Sequence, residues 1–173
     1  MAAYYYLISS LPSLRSDGEM PFDYGTVLSM CRSAVSGREY ALLEGLTPDS
    51  DQGPLFREWS RFYGVLAKEM AYQRKQKLGR ACAAPAERDQ DAVRTVTAAL
   101  NAKNPLEAEN MLLALEFEKL DSLVSMHYFD DYVLNGYALK LKLLERKASF
   151  KTESGKQEFK RLFDGIQQQI LSI

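Results

Sequence analysis

Histidine and cysteine are almost missing from this chain, and their scarcity excludes more chemistry than any motif present suggests. His127 is the only histidine, so two-His zinc motifs and His-based metal clusters are ruled out. Ser and Cys nucleophiles lack both a GxSxG elbow and a credible histidine partner. Cys31 and Cys82 stand far apart in unrelated contexts with no CxxC or Cys/His spacing. Structural zinc is therefore not expected, and both read as reduced thiols. Neither GxGxxG nor GxxxxGK[ST] occurs, which leaves nucleotide binding through these loops unsupported. Charge of one sign is lacking too: 22 Lys+Arg stand against 23 Asp+Glu. A dedicated nucleic-acid binder would be strongly basic, so no nucleic-acid partner is expected. No apolar run approaches the roughly 20 residues of a membrane-spanning helix. The opening Met1–Ile8 has no basic leader and too short an apolar run for a signal peptide. These absences predict a cytoplasmic, non-enzymatic chain with no cofactor, no metal and no direct membrane span.

What is present is helical periodicity, enough for one helical domain over 1–173. A Gly/Ala/Pro break separates an N-terminal part (1–80) from a C-terminal part (86–173). Tyr4 to Leu11 is aromatic and apolar and closed by Pro12, which predicts a short extended segment lying on the helical body. Asp23 is placed to cap a helix running to about Ala34, and Ser36 with Glu39 repeats the capping signal for a second short helix. Gly45 to Gly53 is rich in turn formers and reads as a loop. Pro54 opens a longer helix whose Leu55, Trp59, Phe62, Leu66 and Met70 recur at spacings of three and four. A helix from Ala86 to Ala102 with a small-residue face is expected to pack weakly. Ser154 with Gln157 is expected to cap a last helix, whose Phe159, Leu162, Phe163, Ile166, Ile170 and Ile173 form one narrow stripe that docks as an outer helix.

The strongest local signal is Asn104-Pro105-Leu106-Glu107. Asn104 can accept from first-turn amides, Pro105 suits the first helical position, and Glu107 can complete a capping box. The helix that follows, to about Ser125, is apolar on two sides, which predicts a central, sandwiched element. After a short link, a second helix runs from about 129 to Ala148, giving a long antiparallel hairpin (about 105–125 and 129–148). Lys140 and Lys147 fall inside its apolar arc. Antiparallel pairing sets Lys140 beside Glu116 and Lys147 beside Glu109, so ion pairs are expected there, with the lysine stems on leucines.

Three constellations have both a functional and a plain reading. His127 lies near Asp121, Asp130 and Asp131, an acid–base grouping in principle. The plainer reading makes Asp130 and Asp131 the first turn of a helix, where the dipole favours negative charge. Arg74, Lys75, Lys77 and Arg80 form the one concentrated basic patch. It reads first as a solvated helix end, next as a docking surface for an acidic protein partner, and last as a nucleic-acid patch. Tyr4, Tyr5 and Tyr6 could form an exposed recognition segment, although rings packed inward with wet hydroxyls are the commoner arrangement.

Two blocks carry a family resemblance: YYYLISSLPSL (Tyr4–Leu14) and NPLEAENMLLALEFEKLDSL with FDDYVLNGYALKLKLLERKASF (within Asn104–Phe150), together about a third of the chain. They resemble an uncharacterised bacterial family encoded within V/A-type ATPase operons. That family is similar to the helical C-type component of the V/A-type ATPase (the d-type component in eukaryotes) that caps the rotor ring. The resemblance implies an all-α accessory or stalk-like component with no active site of its own. It also implies rotor or stalk subunits of the ATPase as partners, and peripheral association with the inner membrane through that machine.

Overall fold

The computed structural model describes residues 4–150 and 152–171, with side chains of the last helix described at 155–164, 166 and 167. Among the described residues there are eight α-helices and no strand: α1 (Tyr5–Ser10), α2 (Tyr24–Cys31), α3 (Gly37–Glu44), α4 (Pro54–Lys77), α5 (Gln90–Leu100), α6 (Pro105–Val124), α7 (Asp131–Ser149) and α8 (Thr152–Leu171). The chain is all-α.

Most helix starts follow from side chains that satisfy first-turn amides. Asp23 accepts from the Thr26 amide, Ser36 from Glu39, Asn104 from Glu107 and Asp130 from Val133. Glu107 reaches back one residue further than a capping box requires and accepts from the Lys103 amide at 3.0 Å. Three boundaries differ from the sequence expectation. The segment after Tyr4 is helical rather than extended, because tertiary anchoring outweighs aromatic β-propensity. The Tyr4 amide donates to the Phe129 carbonyl at 3.0 Å, and the Ile8 amide closes the first turn on Tyr4 at 2.9 Å. Pro12 then holds Leu11 extended at ψ 130° and ends the helix. α5 begins at Gln90 instead of near Ala86, since Asp89 accepts from the amides of Asp91 and Ala92. α8 begins at Thr152, so Ser154 lies inside the helix and is not its cap.

α7 is the most enclosed element, a place expected for α6. Leu134, Ala138, Leu139, Leu141 and Leu143 are fully buried, and α7 packs on α2, α3, α4 and α6. Each such leucine contributes roughly 1.5–3 kcal/mol relative to an exposed one. α6 is indeed sandwiched, between α5 and α7 with a further contact to α4, but its burial begins only at Leu113. α5 packs closely on both α4 and α6 through buried Ala92, Val96 and Ala99, contrary to the weak packing expected. Small side chains bury little area each but let the backbones approach, and the close approach is what joins the three helices. The same logic holds at Gly136, where a Cβ would lie 2.7 Å from Val124 Cγ1. Trp59 fills the centre of α4, with its indole N–H donating to the Pro48 carbonyl at 2.6 Å.

The α6–α7 contacts descend along one helix as they ascend along the other. Gly136 meets Val124, Lys140 bonds Asp121, and Arg146 bonds Glu116 and Glu109. The expected partners are not the ones found. Arg146, not Lys147, takes Glu109 (2.8 Å), and Arg146, not Lys140, takes Glu116 (2.6 Å). Glu109 and Glu116 are two turns apart on one stripe, and a planar guanidinium fork can span both where an ammonium cannot. Lys140 reaches Asp121 at 2.5 Å with its ammonium over the Phe117 ring. Lys147, a further 100° round the helix, donates to the Ser16 carbonyl at 2.8 Å.

Candidate interaction surface

The basic patch is built by the way α4 stops. Gly79 adopts φ +68°, its amide donates to Gln76, and the Arg80 amide donates to Lys75 at 3.0 Å. This is a Schellman close that only a residue tolerant of left-handed backbone allows cheaply. It leaves Arg74, Lys75, Lys77 and Arg80 exposed around the helix end. They do not act alike. The Lys77 ammonium donates to the Leu100 carbonyl and ties α4 to the C-terminal end of α5. Among the described residues no carboxylate pairs with Arg74 or Lys75.

Arg74 lines a groove of about 670 Å³ whose floor is apolar. Pro105, Leu106, Ala108 and Leu112 of α6 form one wall, and Phe150 and Gly155, around the junction of α7 and α8, form the other. Leu106 and Phe150 are more than half exposed, at 52% and 54%. Glu109 also lines it, but that carboxylate is held by Arg146. A second apolar surface continues beyond: Phe159, Leu162, Phe163 and Ile166 of α8 are all at least half exposed, and no described side chain of α8 is buried. The expected docking of α8 through this stripe is therefore not what is found; Ile170 and Ile173 lie outside the described side chains.

The three tyrosines separate. Tyr4 is buried, its phenol pushed up to about 12 by burial and then by its hydrogen bond to Asp131. It is structural and not a contact residue. Tyr5 is half exposed and leans on Phe129 at 4.6 Å, and Tyr6 is almost wholly exposed.

Buried ionisable groups are committed to packing. Burial raises the Glu116 carboxyl above its usual range despite the hydrogen bonds and charge of Arg146, and the nearby Glu109 carboxylate adds to the rise. Burial opposes the charge on Arg146, but its hydrogen bonds and attraction to Glu116, with Glu109, outweigh that and hold its pKa up. Glu69, 1% exposed, has Arg88 to itself at 2.6 Å, and those hydrogen bonds hold its carboxyl below the usual range. Burial pushes the Cys31 thiol up to about 11, and Cys31 and Cys82 are both free. His127 stacks on Tyr132 at 3.8 Å, with Nδ1 2.7 Å from the capping Asp130. Asp121 is away on Lys140 and Asp131 opens α7, so the four do not form one acid–base group. No cluster of His, Cys, Asp or Glu among the described residues could hold a metal ion, and no described helix is long and apolar enough to cross a membrane. No family model, no curated protein and no solved structure matches the chain.

Proposed function

We propose that this chain is a non-catalytic helical adaptor, a subunit or assembly factor of a V/A-type rotary ATPase akin to its C-type component. The adaptor part of this reading is supported chiefly by one observation. A core closed by α4, α6 and α7 coexists with large apolar side chains, at the groove and along α8, that nothing in the described chain covers. Exposed apolar patches of this kind mark sites of association. The choice of machine rests on the likeness of Tyr4–Leu14 and Asn104–Phe150 to the family encoded in V/A-type ATPase operons. In such a complex the chain works mechanically: rigid helices hold two surfaces at a fixed distance, and no bond is made or broken. Peripheral membrane association follows from the partner.

Affinity-tagged chain, purified from its native cells in mild detergent, is expected to bring down rotor or stalk subunits of the ATPase. Recovery of none of them overturns the ATPase reading, and recovery of one unrelated protein in stoichiometric amount replaces it with a stand-alone interaction module.

A further inference from the structure

The groove walled by Leu106, Leu112 and Phe150 has one charged edge that is not neutralised. Glu109 is consumed by Arg146, whereas Arg74 lines the groove without a carboxylate partner and Lys75 follows it on the exposed helix end. An apolar floor beside a cationic rim selects an occupant that is greasy on one side and acidic at its edge. Its volume of about 670 Å³ suits a few anchoring side chains and not an extended sheet edge. The walls are helices, so no strand edge offers backbone hydrogen bonds for an added strand. A helix laid in the groove by residues at i, i+3/i+4 and i+7 is the mode that remains.

Charge also decides between two sources of such a helix. The apolar stripe of α8 from a second copy would fit by shape. Along its whole length, however, α8 carries Lys156, Lys160 and Arg161 against Glu153, Glu158 and Asp164, and Glu158 is already held by Arg161, so it brings no surplus of carboxylates to Arg74 and Lys75. From this we infer that the groove receives an acidic amphipathic helix of a partner protein, with its apolar anchors on Leu106, Leu112 and Phe150 and its carboxylates on Arg74 and Lys75. This rests on the adaptor reading above but not on the identity of the machine. It leaves the α8 stripe free for a second contact.

The test uses the intact chain and two labelled amphipathic peptides of about 18 residues, with leucines at helical anchor spacing, one flanked by glutamates and its twin by lysines. By fluorescence anisotropy the wild type is expected to bind the glutamate peptide at least about tenfold more tightly than the lysine peptide. Arg74→Glu combined with Lys75→Glu should reverse that preference, and Leu106→Ser should weaken both peptides. All three positions are exposed, and unchanged circular dichroism and melting confirm that each variant folds. Equal binding of the twins, binding of neither, or variants that behave as the wild type overturn the inference. So does sedimentation showing a wild-type dimer that Leu106→Ser dissociates, since the groove would then belong to a second copy. A peptide result in either direction is distinguishable from failure of the ATPase reading, which is judged by copurification alone.

Discussion

The body formed by α4, α6 and α7 and the surface formed by the groove and α8 invert each other's chemistry. In the body, charge is taken inside: Glu116 and Glu69 are among the most deeply buried side chains of the chain. On the surface, apolar groups are left outside: Phe159 remains 69% exposed and Leu106 52%. Apolar spacing alone therefore does not say what a helix buries. Both α6 and α8 have helical stripes, but only α6 finds neighbours on two sides. What separates them is whether a neighbouring element supplies a complementary face.

The contrast is probed most severely by removing the cation inside the body. Arg146→Met leaves Glu116 buried without a partner and removes the partner of Glu109 as well, and is expected to cost about 3–5 kcal/mol in urea unfolding. Adding Glu116→Leu should recover much of that loss. A loss below about 1 kcal/mol would mean that the network is effectively solvated and the body open to water. Next in size is Gly136→Ala. Its new methyl would lie 2.7 Å from Val124 Cγ1, and overpacking of this kind costs about 1–3 kcal/mol. Val124→Ala should relieve the clash in the double variant, and an unchanged melting temperature for Gly136→Ala alone contradicts the close approach of α6 and α7.

Acidity sets the two buried glutamates against each other. The Glu69 carboxyl is held down by Arg88, so its contribution is present above the unfolded value of 4.5 and lost as pH falls through the lowered folded value. Glu116 is raised by burial, so its contribution is present below 4.5 and lost as pH rises through the raised value. Urea midpoints followed from acid to neutral pH should show Glu69→Gln flattening the acid limb. Glu116→Gln should remove a decline of the opposite sign toward neutrality. Identical slopes in both variants would contradict the opposite shifts of the two carboxyls. The smallest effect belongs to the surface: Phe159→Ser with Phe163→Ser should change stability by no more than about 0.5 kcal/mol, because neither ring is buried.

Local chemistry makes much of the fold legible. Asp23, Ser36 and Asn104 announce their helices because a cap acts within three residues of itself, and Pro54 because its fixed φ suits the first helical position. The helix at Tyr5–Ser10 is not legible, since it depends on a hydrogen bond to Phe129, far along the chain. The Glu109/Glu116 stripe can be singled out from spacing, yet its partner Arg146 lies one residue away from the Lys147 that the same spacing favours. Helix phase is known only to within a residue or so, and one step turns a side chain by 100°. At the candidate surface, the basic run at 74–80 can be read directly. The groove beside it cannot, because Leu106 and Phe150 meet only once α6 and α7 have packed.

Amide hydrogen exchange on the isolated chain bears most directly on the division between body and surface. The interior amides of α4, α6 and α7 should exchange only through global unfolding, while those of α8 exchange through local opening, with protection lower by orders of magnitude. Protection of α8 equal to that of α7 would refute the division, because the α8 apolar stripe would then already have found its cover.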